Sequence, residues 1–143
     1  MALEELRNRV SRKIAGMHLI LEVAGKDLQG KAQASASWTD RTGATRAGIE
    51  GGAEGGGTKH TIYLQHSTKV GMYLEEGTGI YGPKGTPIKA KSGKALHFKN
   101  DKGEDVFARE VKGIKAMPIV KPTMEKSWPT IKGQLERYFN DTI

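Results

Sequence analysis

Cysteine is absent from all 143 positions of the sequence. Disulfide bonds, thiol nucleophiles and thiolate metal sites are therefore excluded. Long apolar runs are absent as well, since a run such as Leu19-Ile20-Leu21 is far too short to cross a bilayer. The first residues are acidic and lack the basic start and apolar stretch of a signal peptide. The sequence therefore predicts a soluble protein with no membrane partner.

What is present is a chain of the size of one domain. A length of 143 residues is enough for one hydrophobic core but not for two, so we expect a single domain spanning residues 1–143. The hydrophobic content of 36% and the 19 glycines are typical of a globular domain that is rich in loops.

Positive charge is concentrated in one part of the chain. Residues 84–132 contain twelve lysines and arginines against five aspartates and glutamates, and this excess equals the formal net charge of +7. The rest of the chain is close to neutral. Basic charge favours nonspecific attraction to nucleic acid, but it does not by itself define a binding site.

The N-terminal segment carries one long hydrophobic stripe. Apolar residues recur there every three or four positions for about seven turns, which predicts a helix over residues 1–37 that packs against a sheet. The stripe consists of Leu3, Leu6, Val10, Ile14, Met17, Leu21, Ala24 and Leu28. Five of the eight residues in 50–57 are glycine, so we expect a flexible, hairpin-like connection at that point.

The middle of the chain, residues 38–121, predicts a small sheet with a short helix and loops. Residues 59–66 alternate as a half-buried strand, and residues 95–98 and 104–111 form an antiparallel hairpin around the turn 100–103. A short helix before Gly77 is followed by a long loop, and a final helix occupies residues 122–143, with a kink or a restart expected at Pro129. Together these elements predict an α+β domain whose terminal helices pack on a small, mainly antiparallel sheet with long flexible loops.

No catalytic, cofactor or metal site emerges from the motifs, and we expect no enzymatic activity. The glycines of residues 77–82 match the spacing G-x-G-x-x-G, but a phosphate loop needs a preceding strand and a following helix, which are not predicted here. The four histidines, His18, His60, His66 and His97, show no ligand spacing and are interpreted as solvated. Phe98 is interpreted as a core residue of its strand.

Glu76 lies at the end of the predicted short helix, where a negative charge is unfavourable. We therefore expect it to have a specific partner, a backbone N–H or an arginine such as Arg46. Gly77 is expected to end the helix in the left-handed conformation. The loop that follows is lysine-rich, and we interpret it as an arm that contacts a partner protein or DNA through Tyr81, Lys84, Lys89, Lys91 and Lys94.

Three segments, taken in order, resemble one protein family. They are Asp40-Arg41-Thr42-Gly43-x-x-Arg46-x-x-Ile49, Tyr73-Leu74-x-Glu76-Gly77-Thr78 and Met117-Pro118-Ile119-Val120-Lys121-Pro122. Their order and spacing are similar to those of the minor tail or tail-completion proteins of long-tailed bacteriophages, which join head to tail. Thr45 departs from the apolar residue usual in that family, and Met117-Pro118-Ile119 stands where Arg-Pro-Phe is usual.

The resemblance implies a structural virion protein without catalysis or cofactor. Family members form a ring, usually six-fold, in the virion neck or tail, assembled in the host cytoplasm. The implied partners are copies of the chain itself, head connector or adaptor proteins, and a tail tube or tail terminator protein, with packaged DNA passing through the ring. The alternative interpretation of the basic charge is a freestanding nucleic-acid-binding domain.

Overall fold

The computed structural model describes residues 2–38, 43–91, 95–100 and 102–141. Its four helices are α1 (Ala2–Ser35), α2 (Ala44–Ala47), α3 (Lys69–Glu76) and α4 (Val120–Asn140), with one 3-10 turn at Gly79–Tyr81. Its six strands are β1 (Ile49–Gly56), β2 (Lys59–His66), β3 (Ile88–Lys89), β4 (Leu96–Lys99), β5 (Asp105–Ala108) and β6 (Glu110–Val111). The strands pair as β1 with β2, β3 with β6 and β4 with β5. The predicted α+β class, with long terminal helices and small antiparallel sheets, is confirmed.

The chain divides into two compact units, unit 1 with residues 1–35, 49–65 and 120–143, and unit 2 with residues 36–48 and 66–119. The expectation that residues 1–143 form a single domain stays a prediction. None of the described helices is both long and apolar enough to span a membrane.

In unit 1, α1 packs against β1 and against α4. The buried apolar side chains come from all three segments and are Leu21, Leu28, Ala32, Ile49, Leu64 and Ile131. The predicted stripe of α1 is buried from its middle onward, whereas Leu3 and Leu6 near its start are exposed. Lys13 is buried, donates to the backbone carbonyl of Tyr138 and lies over its ring, with Nζ 4.1 Å from the ring centroid. These contacts hold α1 to the last turns of α4.

The glycine-rich segment 50–57 is a strand for most of its length, so the prediction of a flexible connection is wrong. β1 extends to Gly56, and only the two residues Gly57 and Thr58 separate it from β2. The physical reason is close packing on α1: a Cβ on Gly25 would lie 2.5 Å from both the N and the Cα of Gly52. The Gly51 N–H also donates to the side-chain oxygen of Gln29 at 3.0 Å. The glycines here permit helix and strand backbones to touch.

The C-terminal helix begins at Val120, two residues before the predicted start. Pro129 lies inside it without ending it, so the predicted restart does not occur. A proline removes one helical hydrogen bond. Packing of α4 on α1, with Ile131 buried only two residues later, stabilises the helix on both sides of Pro129.

Unit 2 contains the predicted hairpin and a second small sheet. β4 and β5 pair antiparallel, with His97 opposite Phe107 and Phe98 opposite Val106. β3 and β6 pair antiparallel, with Lys89 opposite Glu110. Phe98 is 39% exposed, so its interpretation as a core residue is wrong. A two-stranded sheet offers little area to cover a side chain unless another element packs on it.

Candidate functional site

The candidate site lies in unit 2, around the C-terminal end of α3. Thr68 caps the start of α3 by accepting a hydrogen bond from the Gly71 N–H at 3.0 Å. Gly77 ends the helix with φ of 82°, and its N–H donates to the Tyr73 carbonyl at 2.7 Å. A Cβ at this position would lie 2.6 Å from the Tyr81 carbonyl oxygen. Gly77 therefore ends the helix as predicted, with a positive φ that favours glycine, but its ψ of 168° is not that of the predicted left-handed conformation.

The chain after Gly77 is fixed to residues 112–114 and is not a free arm at its start. The Thr78 N–H donates to the Ile114 carbonyl at 2.9 Å, and the Ile80 N–H donates to the Lys112 carbonyl at 2.8 Å. The Thr78 hydroxyl accepts from the Ile114 N–H at 2.9 Å. The predicted long arm is thus shortened by the 3-10 turn and by β3. The glycines that match G-x-G-x-x-G permit this close backbone packing. They follow the helix α3, whereas the glycines of a phosphate loop follow a strand.

The glutamate of α3 that makes hydrogen bonds within unit 2 is Glu75 and not Glu76. Glu75 Oε1 accepts from the Ile119 N–H at 2.9 Å and lies 3.3 Å from His66 Nε2. Glu76 is exposed and makes no ion pair with Arg46 in the described part of the chain. The expectation for Glu76 is therefore wrong. Glu75 is four positions after the buried Gly71 and shares its helix face, a spacing from which this role could have been predicted.

Arg46 contributes to the interior of unit 2 through Trp38 instead. Its guanidinium carbon lies 5.2 Å from the centroid of the Trp38 ring, and Nη2 donates to the carbonyls of Ala36 at 3.2 Å and Trp38 at 3.4 Å. Trp38 is 5% exposed. A delocalised guanidinium that stacks on an indole and donates to two carbonyls fixes the turn around α2. Arg46 thus contacts Trp38 and Ala36, and its structural role stays a prediction.

The predicted contact lysines are exposed where the structure describes them. Lys84, Lys89 and Lys91 are exposed. Tyr81 is 38% exposed, with Lys115 Nζ 5.8 Å from its ring centroid. Lys94 lies outside the described residues, as do Asp40, Arg41 and Thr42 of the first motif. The further exposed basic residues in the described part of unit 2 are Lys69, Lys99, Lys102, Arg109, Lys112 and Lys115.

The cross-strand register distinguishes among these lysines. Lys89 stands opposite Glu110, and Lys99 stands opposite Asp105. Directly opposed residues of an antiparallel pair project from the same face of the sheet, so these two lysines have a carboxylate beside them. The charge that unit 2 presents to solvent therefore depends more on Lys84 and Lys91 than on Lys89.

A second exposed feature of unit 2 is apolar. Val70, Met72 and Tyr73 of α3 are each more than half exposed, and we call them the outer surface of α3. The buried residues of the helix are Gly71 and Leu74. Exposed apolar side chains on consecutive turns of one helix are typical of a surface that a partner covers.

The interpretation of the histidines as solvated is wrong for His66 and holds only in part for His18 and His60, which are half-buried. The His66 side chain is 3% exposed and lies beside Glu75. His18 and His60 contact each other within unit 1, with 2.8 Å between their Nδ1 atoms. Only His97 has a largely exposed side chain among the histidines in ion pairs, 54% exposed beside Asp105. In the described part of the chain, no three His, Asp or Glu side chains are placed to hold one metal ion.

No protein-family model matches the sequence, and neither does a curated protein or a solved structure.

Proposed function

We propose that the chain is a structural virion subunit of a tailed bacteriophage, which forms a ring at the neck or tail end, joins head to tail and lets DNA pass. The observation that carries this proposal is that parts of all three family-like segments, residues 43–48, 73–78 and 117–119, lie in unit 2. Arg46 of the first segment lies on α2, which packs against α3. Leu74 of the second segment accepts from the Met117 N–H of the third at 2.7 Å. Segments that are far apart in sequence and build one substructure are what a shared fold requires.

The third segment supports the same conclusion through its backbone. Met117 and Ile119 donate their N–H groups to the Leu74 carbonyl and the Glu75 carboxylate. Residues 112–119 contain no helix or regular strand, so these bonds determine where the segment before α4 lies. These bonds hold the end of α3 against the extended run before the last helix, through Leu74 of the second segment and through Glu75 at its unspecified position.

The outer surface of α3 provides a contact for a neighbouring copy in the proposed ring. Subunit interfaces bury apolar and aromatic side chains at their centre, and Val70, Met72 and Tyr73 meet that description. The exposed lysines of unit 2 would be repeated by the ring, so that a modest charge on one copy becomes a basic lining for the DNA. Head connector or adaptor proteins on one side and a tail tube or terminator protein on the other complete the proposed set of partners.

The proposal is tested by electron microscopy of particles assembled with and without the protein. We expect filled heads and separate tails in its absence, and joined virions when it is added back. Normal virions assembled without it would refute the proposal. A variant with Met72 and Tyr73 replaced by serine, which leaves the buried Gly71 and Leu74 intact, should remain folded but fail to join particles. The exposed Lys102→Ser change is the matched control.

The nine exposed basic residues in the described part of unit 2 favour a second function, a freestanding nucleic-acid-binding domain. The two functions differ in the binding of DNA by the dispersed monomer. A freestanding domain binds duplex DNA tightly at low salt, with an affinity that falls steeply as salt rises. A ring subunit binds weakly until it is assembled, because only the ring presents the lysines together.

A further inference from the structure

His18 of α1 and His60 of β2 lie side by side in unit 1. Their ring centroids are 4.8 Å apart and their Nδ1 atoms 2.8 Å apart. Both residues are partly exposed. Neither residue is used by the proposed function.

The hydrogen bonds at the far side of each ring fix its tautomer. His18 Nε2 lies 3.1 Å from Glu22 Oε1, and His60 Nε2 lies 2.9 Å from the Gly57 carbonyl oxygen. A carboxylate and a carbonyl only accept hydrogen bonds, so both Nε2 atoms must carry the proton. A neutral imidazole then has a lone pair on Nδ1. Two lone pairs on nitrogens 2.8 Å apart repel unless a proton lies between them or a metal ion, placed to one side of the line that joins the two nitrogens, binds both.

This arrangement has the form of a histidine metal site. Histidines that bind a metal through one ring nitrogen donate the other N–H to a carboxylate or a backbone carbonyl, which orients the ring and raises its basicity. Glu22 and the Gly57 carbonyl occupy these two positions. With metal–nitrogen bonds of about 2.0–2.1 Å, two nitrogens on one ion are about 2.9 Å apart at a right angle and about 3.3 Å apart in a tetrahedron. The observed Nδ1–Nδ1 distance of 2.8 Å is close to the right-angle value. It must increase by about 0.5 Å to reach the tetrahedral value.

We propose that His18 and His60 bind one divalent transition metal ion through their Nδ1 atoms. Imidazole nitrogens suit Zn²⁺, Cu²⁺ and Ni²⁺, with Cu²⁺ bound most tightly in the usual order. The described residues contribute no third carboxylate or imidazole to the ion, so water fills its remaining positions. The bound ion joins α1 to β2, and binding therefore stabilises the fold of unit 1.

The test uses the full chain, freed of metal with a chelator, and titration calorimetry with Cu²⁺ and Zn²⁺. We expect one ion per chain, bound more tightly for Cu²⁺ than for Zn²⁺. His18→Ala and His60→Gln should each weaken binding at least about 10-fold, because each removes one of two protein ligands. His97→Ala, which changes an exposed histidine of unit 2, is the matched control and should bind as the unchanged chain does.

Two further readouts separate metal binding from a structural role. The ion displaces any proton held between the two Nδ1 atoms, so binding should release protons, seen as a heat that depends on the ionisation enthalpy of the buffer. Glu22→Gln should weaken metal binding about 10-fold, with one ion still bound per chain. In thermal unfolding, Zn²⁺ should raise the Tm of the unchanged chain but not that of His60→Gln. Equal affinities for His60→Gln and His97→Ala, or no binding at millimolar metal, would overturn the proposal and leave a shared proton as the only cation between the rings.

Discussion

Two neighbouring carboxylates on α3 differ completely in their surroundings. Glu75 lies on the face of α3 that carries Gly71 and accepts from the Ile119 N–H, whereas Glu76 points to solvent. One position along a helix turns a side chain by about 100°, so the difference follows from the helix itself. This comparison explains why the sequence-based expectation of a specific partner for Glu76 is wrong. That expectation considered the position of Glu76 at the helix end and not the helix face on which its side chain lies.

We predict that Glu75→Ala lowers the free energy of unfolding by about 1–3 kcal/mol, because the Ile119 N–H and the His66 ring lose a buried partner. Glu76→Ala should change it by less than about 0.5 kcal/mol, as is usual for an exposed surface residue. Urea denaturation of the two variants, side by side, measures both values. Equal effects would show that the hydrogen bond from Ile119 contributes nothing to stability.

At the scale of elements, the contact between α1 and β1 depends on backbone touching backbone. Gly25 of the helix meets Gly51 and Gly52 of the strand, and a side chain at any of the three would strike a neighbouring residue. Interiors that are already well packed resist added atoms, since the backbone must shift to admit them. The glycines that look like a flexible segment in the sequence therefore form one of the most tightly packed places in unit 1.

Alanine at Gly51 should accordingly destabilise the protein by about 1–3 kcal/mol. Gly56 of the same strand provides the control, because a Cβ there has no atom within 4 Å. Gly56→Ala should be neutral or stabilise by a few tenths of a kcal/mol, roughly as expected when a strand glycine is replaced. Thermal unfolding by circular dichroism compares the two. A loss of stability in Gly56→Ala as large as that in Gly51→Ala would contradict the packing explanation.

The hairpin of β4 and β5 is the opposite case, with little packed on it. Phe98 and Phe107 are 39% and 68% exposed, and a two-stranded hairpin without a covering element is only marginally stable. We predict that amides of residues 96–108 in the dispersed chain exchange with deuterium faster than those of the middle of α1. Mass spectrometry of short-labelled samples measures this. Protection of the hairpin equal to that of α1 would be inconsistent with the exposure of its two aromatic rings.

The sequence predicts an element correctly where the element is determined by residues that are close together in the chain. The apolar period of α1, the stop at Gly77 and the turn between β4 and β5 are determined by neighbours in the chain, and all three are predicted correctly. The strand β1 is not, because its glycines are explained only by Gly25, about 25 positions earlier in the sequence. The pairing of His18 with His60 is missed for the same reason, since 42 positions separate them.

For the molecule as a whole, the proposed contact with DNA leads to a prediction about the exposed lysines of unit 2. In binding to a short duplex, each phosphate contact that is lost reduces the salt slope by about 1. We predict that the double change Lys84→Gln and Lys91→Gln reduces the slope by about 2, while Lys89→Gln reduces it by less, because Glu110 already lies opposite Lys89. Fluorescence anisotropy across a salt series measures the slopes. A larger effect of Lys89→Gln than of the double change would contradict the charge assignment from the strand register.

The three-segment composition of unit 1 also bears on the order in which the protein folds. Lys13 donates to a carbonyl that is 125 positions away in the sequence, and residues 66–119, the larger part of unit 2, lie wholly between the segments that build unit 1. A chain leaving the ribosome presents α1 and β1 long before α4 exists, so the side of α1 that packs on α4 stays uncovered while the intervening residues emerge. Contacts of such long sequence separation slow folding and prolong exposure to aggregation.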